Sequence, residues 1–227
     1  MKSLGTVVAA TLTIVLACFH PISGQTARTL EAQAKELRQI LQKAPRVPSE
    51  AVQIEIVPPH QDWELGMVSW IAAGDDGLIY LLHRGDRADP VIALDRTGRV
   101  VRSWGRGMYE TPHSIRVGPK GNIWTADAKS SRVLQFTPDG TLLMEIAVGG
   151  QPADCSGNFC GTTDVAFGPD GHIFVADGYR NARILEYTPD GRKVGEWGRP
   201  GTGPGEFRLP HSLAVDEDAI VYVADRE

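Results

Sequence analysis

The sequence predicts an all-β fold of the propeller class, and three observations support this prediction. Segments 112–127, 162–177 and 210–225 align with one another, so the chain carries an internal repeat. Each segment contains two short runs of β-branched and aromatic residues that flank a turn such as Pro-Asp-Gly, which is typical of antiparallel strands. The chain also has 25 glycines and 15 prolines among 227 residues, and this content suits many tight turns.

The repeat has a period of 44 to 50 residues. One aromatic residue recurs in each copy, and a divergent fourth copy at 69–80 supplies the first. These aromatic residues are Tyr80, Trp124, Phe174 and Tyr222. A third and a fourth strand per copy are predicted at 132–136, 141–146, 183–187 and 193–197. Four antiparallel strands at this period are typical of propeller blades, whereas a helical repeat would need an apolar residue at every third or fourth position.

The repeat unit resembles that of the NHL-repeat propellers over roughly residues 65–227. The matching segments are Phe-Val-Ala-Asp-Gly at 174–178, Asn-Ala-Arg-Ile at 181–184, Gly-Pro-Gly-Glu-Phe at 203–207 and Leu-Ala-Val-Asp at 213–216. This resemblance implies six blades, of which the chain holds about three and a half. Because an open ring leaves two unpaired sheet edges, we expect the chain to be the N-terminal fragment of a longer protein.

The first residues are predicted to form a signal peptide at 1–24. Lys2 is followed by an uncharged, mostly apolar run from Gly5 to Cys18. This run is too short to span a bilayer, and its positive start is typical of a secretory signal. The mature protein is therefore expected to be secreted or periplasmic. Two alternatives stay open, a lipid anchor at Cys18 within a loose lipobox and a buried N-terminal strand.

Residues 25–50 are predicted to form a short amphipathic helix and a linker, before a propeller at 51–227. The apolar positions at helical spacing are Leu30, Ala34, Leu37 and Leu41. Lys and Arg number 23 against 28 Asp and Glu, which gives a formal net charge of −5. A chain with this balance lacks the broad basic face that would attract nucleic acid or an anionic membrane. We therefore predict no nucleic-acid partner and no transmembrane segment.

Export would leave Cys155 and Cys160 as the cysteines of the mature chain. Four residues separate them in a Gly-containing loop, and an oxidising compartment favours a local disulfide between them. A cysteine-based metal site would need further ligands nearby, and the surrounding sequence has none.

Histidine occurs at equivalent positions of alternate copies. His113 and His211 both lie in the tripeptide Pro-His-Ser, whereas the copy between them has Thr163 at this position. Alternate blades of a six-bladed ring are related by about 120°, and the first strand of each blade lines the central channel. Three such histidines would form a zinc site with an open position, and the third would lie near residue 309. Alternatively, both histidines are ordinary polar residues of the channel.

This pattern resembles one NHL family in particular, the peptidyl-α-hydroxyglycine α-amidating lyases. The segments that carry the resemblance are His83–Asp86, Phe159–Cys160, Thr163–Ala166, Asp177–Tyr179, Asn181, Arg183–Ile184, Leu209–Ala214 and Ala224–Glu227. The resemblance implies catalytic zinc on His113 and His211, and a tyrosine base at Tyr179. It further implies that Arg84 and Arg226 bind a small peptide or carbinolamide substrate. Backbone carbonyls of Ile71 and Ile115 are implied ligands of a structural calcium ion.

These roles suit the reaction that the family performs, the splitting of a peptidyl-α-hydroxyglycine into a peptide amide and glyoxylate. Zinc acts as a Lewis acid on the hydroxyl oxygen, positive surroundings favour a proton-accepting phenolate, and arginine binds carboxylates as a fork. Each role has an alternative: Arg84 and Arg226 as partners in salt bridges, and Tyr179 as a buried aromatic residue. An adhesion motif at 84–86 is a further alternative, which a position at a strand end disfavours.

Two departures from the family concern disulfides. The family pairs the cysteine at the Cys160 position with one that corresponds to Arg180, so the resemblance leaves Cys155 as the partner here. A second family disulfide has no counterpart, because Tyr222 replaces one of its cysteines.

Two other function classes compete with the lyase. One is a non-catalytic NHL propeller that binds a protein or carbohydrate. The other is a calcium-dependent hydrolase of the lactonase kind, with Asp127, Asp177 and Asp225 as ligands. Because these aspartates occur at the same phase of every copy, we predict a structural hydrogen-bonding role instead. With two of the three proposed zinc ligands, residues 1–227 are expected to be nearly inactive alone.

Overall fold

The computed structural model describes residues 50–150 and 156–227, together with six isolated positions between 32 and 43, which are helical. The chain divides into two units, Met1–Gln53 and Ile54–Glu227. The predicted signal peptide, the lipid-anchor position Cys18 and the half-cystine Cys155 lie outside the described residues, so these expectations stay predictions. Within the described part of the chain, no helix is long and apolar enough to cross a membrane.

The second unit consists of three four-stranded antiparallel sheets and one two-stranded sheet, which we number as blades one to four. Blade one comprises β1 Met67–Ala73, β2 Ile79–Arg84, β3 Val91–Leu94 and β4 Val100–Trp104. Blade two comprises β5 Pro112–Val117, β6 Ile123–Asp127, β7 Arg132–Phe136 and β8 Leu142–Ala147, with a 3₁₀ turn at Pro119–Gly121. Blade three comprises β9 Asp164–Phe167, β10 Ile173–Asp177, β11 Arg183–Tyr187 and β12 Lys193–Trp197, and blade four comprises β13 Pro210–Val215 and β14 Val221–Asp225.

This architecture confirms the predicted all-β propeller class and its three and a half blades. Strands β7, β11 and β12 have the predicted bounds, and β8 is shifted by one residue. The first strands of successive blades contact one another, from β1 through β5 and β9 to β13. These four strands therefore lie on the inside of the ring, as the alignment of the repeats predicts.

The hydrophobic core lies between the faces of neighbouring blades. Leu82 and Val91 of blade one pack with Ile123 and Phe136 of blade two, and all four side chains are buried. A second cluster joins blades two and three, and a third joins blades three and four. Because each blade is covered by the next, the strands at its centre are apolar on both faces. Their sequences show runs such as Phe-Val-Ala for this reason.

The aspartates that end the second strand of blades two to four have the structural role that was predicted for them. Asp127 and Asp225 accept hydrogen bonds from main-chain N–H groups of the segment that precedes the first strand of the same blade. Asp177 accepts from the side chains of Asn181 and Arg183 instead. These carboxylates are engaged by protein donors, so the repeated aspartate is part of the fold.

Candidate active site

His113 and His211 both project from a β-bulge in the first strand of their blade. In each blade the ladder skips one residue between the Pro and the Ser of the Pro-His-Ser motif, and the skipped residue is the histidine. A bulge of this kind redirects a side chain away from the regular alternation of the strand. The two rings come to 4.9 Å between their centroids, although 98 positions separate the residues.

His113 is deeply buried, with 4% of its surface exposed. Its Nδ1 lies 2.6 Å from the carbonyl oxygen of Thr163 in blade three. A carbonyl oxygen can only accept, so Nδ1 carries the hydrogen and Nε2 presents a lone pair when the ring is neutral. Burial lowers the pKa of His113 to about 4, and the positive charge of nearby Arg84 acts in the same direction. The ring is therefore neutral at physiological pH, as a metal ligand must be.

The hydroxyl of Tyr179 lies between the two histidines. Its oxygen is 3.1 Å from Nε2 of His113 and 3.1 Å from Nε2 of His211. The hydroxyl has one hydrogen, which it donates to the lone pair of His113, and His211 donates its own Nε2–H to the tyrosine oxygen. Burial, followed by the charge of Arg226, lowers the pKa of His211 as well. The predicted base thus lies within hydrogen-bonding distance of both predicted ligands.

The loop that carries Tyr179 approaches the strand of His211 closely, and Gly178 permits this approach. A Cβ atom on Gly178 would lie 2.0 Å from the carbonyl oxygen of Pro210. A side chain at this position would push the tyrosine loop away from the histidine strand, since that contact is with backbone.

The two predicted arginines border this cluster. The guanidinium carbon of Arg226 lies 5.8 Å from the centre of the Tyr179 ring, and that of Arg84 lies 5.2 Å from the ring of Phe159. Phe159 in turn contacts the Tyr179 ring, with centroids 5.0 Å apart. Arg84 donates from Nε to the carbonyl of Pro112 at 2.8 Å, which holds it beside the His113 bulge. Arg226 also pairs with exposed Glu227 at 3.0 Å, so the salt-bridge alternative describes part of its contacts.

The donor chemistry of this cluster fits a zinc ion. Two imidazole Nε2 atoms face one point, and the outer nitrogen of His113 is held by a carbonyl, which is the usual outer contact of a metal-bound histidine. Within residues 50–150 and 156–227, no three His, Cys, Asp or Glu side chains converge as a metal-binding set. A third zinc ligand near residue 309 stays a prediction.

The structure gives the positions of the residues predicted for calcium binding and for the disulfide, except Cys155. Ile71 and Ile115 lie on β1 and β5, the first strands of neighbouring blades, and Ile115 is fully buried. Their backbone carbonyls as calcium ligands stay a prediction. Cys160 is buried in the loop before β9, and its pairing with Cys155 stays a prediction because Cys155 lies outside the described residues.

Sequence reasoning missed an ion pair inside the ring. Arg116 of β5 donates from Nε to Oδ1 of Asp164 at 3.0 Å and from Nη2 to Oδ2 of the same carboxylate. A signal was present in the aligned copies. Arg116 stands where the other two copies have Ala166 and Ala214, and Asp164 stands where they have serine. Two neighbouring copies thus each have a charged residue where the other copies have an uncharged one, and the two charges are opposite.

Comparison with known proteins identifies the repeat and several relatives. An NHL repeat is recognised at residues 110–136, which include β5 to β7. The chain is 31% identical over 194 residues to peptidylglycine α-amidating monooxygenase from Rattus norvegicus, a match that covers 71% of this chain and 20% of the rat protein. It is 35% identical over 154 residues to peptidyl-α-hydroxyglycine α-amidating lyase 1 from Drosophila melanogaster, covering 62% of this chain and 28% of the fly protein.

Among solved structures, streptogramin B lyase superposes with a TM-score of 0.55 at 18% identity, over 71% of this chain and 49% of that one. At this identity the likeness concerns the fold alone. The chain spans half or less of the length of each of these three relatives. From its blades, its repeat and these relatives, the chain is a β-propeller that contains an NHL repeat and is similar to the peptidyl-α-hydroxyglycine α-amidating lyases.

Proposed function

We propose that the protein is an exported, zinc-dependent lyase that splits a peptidyl-α-hydroxyglycine into a peptide amide and glyoxylate. The single observation that carries this proposal is the position of the Tyr179 hydroxyl, 3.1 Å from Nε2 of both His113 and His211. The reaction needs a proton-transfer group close to imidazoles that can bind a metal, and these three side chains meet that need.

His113 and His211 would hold the metal, with a third histidine expected near residue 309. When bound, zinc would supply a Lewis acid that favours the ionised form of the substrate hydroxyl. The Thr163 carbonyl keeps Nδ1 of His113 as the protonated nitrogen. For His211 to become a neutral ligand through Nε2, its hydrogen must move from Nε2 to Nδ1, so metal binding is expected to change the tautomer of the ring.

Tyr179 would move the proton in this reaction. The hydroxyl proton of the substrate passes to the oxygen of Tyr179, after the tyrosine has released its own proton to solvent, as the C–O single bond becomes the carbonyl of glyoxylate. The C–N bond breaks, and its electron pair goes to the amide nitrogen, which takes a proton. Tyr179 can return the same proton to that nitrogen, so the two products contain all the atoms of the substrate.

Arg84 and Arg226 would bind the substrate carboxylate and keep it oriented. Both guanidinium groups lie beside aromatic rings of the cluster, at 5.2 Å from Phe159 and 5.8 Å from Tyr179. Arginine beside an aromatic face is held in one plane, which suits a planar carboxylate. The two cations also draw an anionic substrate to the tyrosine.

The proposal is tested by zinc content and glyoxylate release from an α-hydroxyglycine peptide, measured on the full-length protein. We expect one zinc per chain, and we expect His211→Ala to lose both the metal and the activity. Tyr179→Phe should keep the metal and lose about 10²-fold or more in kcat, since it removes the proton acceptor.

The matched control is His172→Ala. This histidine lies in blade three outside the cluster and bonds to Glu186 at 2.6 Å, so zinc and activity should be unchanged. Wild-type protein that holds zinc and releases no glyoxylate would contradict the proposed substrate. Protein without zinc would contradict the site and favour a non-catalytic propeller.

A further inference from the structure

A single arginine joins the inner strands of all four blades. Arg116 of β5 binds Asp164 of blade three through two of its nitrogens. Its Nη2 also donates to the hydroxyl of Ser212 in blade four at 3.1 Å. Its guanidinium carbon lies 4.9 Å from the centre of the Trp70 ring in blade one. The guanidinium thus contacts three other blades from its own strand.

Asp164 is the acceptor at the centre of these contacts, and it is fully buried. Besides Arg116, it accepts from the hydroxyl of Ser212 at 2.8 Å and from the main-chain N–H groups of Leu213 at 3.0 Å and Val165 at 2.9 Å. A buried carboxylate is tolerated only when it is paired and its oxygens are bonded in this way. Removal of the arginine would leave the buried carboxylate without its cationic partner.

Asp164 and its partner Ser212 are each next in the chain to a group that defines the candidate site. Thr163, whose carbonyl holds Nδ1 of His113, precedes Asp164 directly. Ser212 directly follows His211, and its hydroxyl is bound by both members of the ion pair. The ion pair therefore constrains the backbone on which each histidine depends.

We infer that the Arg116–Asp164 pair is a positioning device, which holds the rings of His113 and His211 with both Nε2 atoms directed at the Tyr179 hydroxyl. This inference rests on the proposed function, because it assigns the pair to the outer contacts of the zinc site. Residues of this kind act through the ligands, and their loss weakens metal affinity by about 10- to 100-fold.

The test compares Arg116→Met with Arg132→Met in the full-length protein. The two arginines are similarly exposed, at 31% and 29% of the side chain, and each has an ion pair. Arg132 lies on β7 of the same blade and bonds Glu145 at 3.1 Å and the carbonyl of Met108 at 2.8 Å. It therefore reports the cost of losing an arginine outside the ring centre.

We expect Arg116→Met to weaken the affinity for Zn²⁺ by about tenfold or more, measured by competition with a chromophoric chelator. Arg132→Met should change it by less than about twofold, even if both variants unfold at a lower temperature. Equal zinc affinities for the two variants would overturn the inference. Should Arg116→Met fail to fold, Arg116→Lys replaces it, since lysine keeps the charge and lacks the fork.

A second measurement separates this inference from the proposed function. In metal-free protein, the Nδ1 proton of His113 is expected to exchange slowly with solvent, because the Thr163 carbonyl holds it. Its exchange, followed by NMR with labelled histidine, should accelerate in Arg116→Met and stay slow in Arg132→Met. If the wild type binds no zinc, the proposed function fails and the exchange rates still decide the inference. Unchanged exchange in Arg116→Met would overturn it.

Discussion

Blades two and three carry the same strand ending, Ala-Asp, and use its aspartate in different ways. Asp127 of blade two accepts from the main-chain N–H groups of Glu110 and Thr111, directly before the Pro-His-Ser motif. Asp177 of blade three is paired with Arg183 at 2.8 Å through Oδ2, and its buried Oδ1 has no hydrogen-bond partner. Burial accordingly raises the pKa of Asp177.

The difference follows from the segment that precedes the first strand. In blade three the N–H groups of Cys160 and Gly161 both bond to the carbonyl of Ala128 in blade two. They are consequently not directed at Asp177, and Arg183 takes their place. The comparison teaches that the histidine bulge of blade two is held by a contact from the end of the second strand, in addition to its own local sequence.

The sharpest way to break this comparison is to replace each aspartate by asparagine. Both oxygens of Asp127 accept N–H groups, including those of Lys129 and Ser130 on Oδ1. An amide NH₂ in either place faces at least two donors, so Asp127→Asn is expected to cost about 4 kcal/mol of unfolding free energy. In Asp177→Asn the NH₂ can take the place of the unpartnered Oδ1 while the amide oxygen still accepts from Asn181 and Arg183. The main loss is the charge opposite Arg183, and the expected cost is about 2 kcal/mol.

Denaturant unfolding of the two variants and the wild type measures this difference. The blade-two variant should also lose zinc affinity, because the His113 bulge loses its support. Equal losses of stability in both variants would show that the two aspartates have the same role.

Much of the fold was predictable from the sequence because the repeat is local. The strand bounds at 132–136 and 183–187 depend on alternation and on turn residues a few positions away. The different uses of Asp127 and Asp177 were not predictable in the same way, because they depend on where distant N–H groups point. The pairing of Arg116 with Asp164 likewise joins positions in different copies, and only a comparison of charges between copies hints at it.

The two histidines offer a second comparison, between identical motifs in different surroundings. His113 is covered by blade three and bonded to Thr163, whereas His211 is partly exposed. For each histidine the pKa is lowered on folding, to about 4 for His113. The unfolded chain then binds a proton near pH 6.5, while the folded chain does not. The associated stability is present above pH 6.5 and is lost as the pH falls toward 4.

In metal-free protein we expect His113 alone to contribute up to about 3 kcal/mol of this loss. His113→Gln should flatten the dependence of unfolding free energy on pH between 7 and 4 more than His211→Gln does. Urea unfolding at a series of pH values, with chelator present, measures both slopes. A larger change for His211→Gln would mean that exposure does not set the difference between the two motifs.

The position of the candidate site was predictable in part for the same reason as the fold. Identical Pro-His-Ser motifs at equivalent phases bring two histidines to one side of the ring, and the structure places their rings 4.9 Å apart. The resemblance to the lyases pointed to Tyr179, Arg84 and Arg226. Phe159 was missed as a contact of this cluster. It lies in a loop outside the aligned strands, so its position could not be derived from the repeat.

The smallest predicted effect concerns the aromatic residues that mark the repeat. The hydroxyl of Tyr80 in blade one bonds to Asp76 at 2.7 Å, and that of Tyr222 in blade four bonds to Asp216 at 2.8 Å. The two bonds have similar lengths, but Tyr80 is 1% exposed and Tyr222 is 55% exposed. A hydrogen bond that excludes water contributes more than one that water can replace.

We therefore expect Tyr80→Phe to lower the unfolding free energy by about 1 kcal/mol and Tyr222→Phe by less than about 0.5 kcal/mol. Thermal unfolding of both variants beside the wild type measures the two effects, and neither variant should alter zinc content. A loss at Tyr222 as large as that at Tyr80 would mean that the exposure of the hydroxyl does not set the size of the effect. The comparison thus measures how much the burial of one tyrosine hydroxyl contributes to stability in blade one and in blade four.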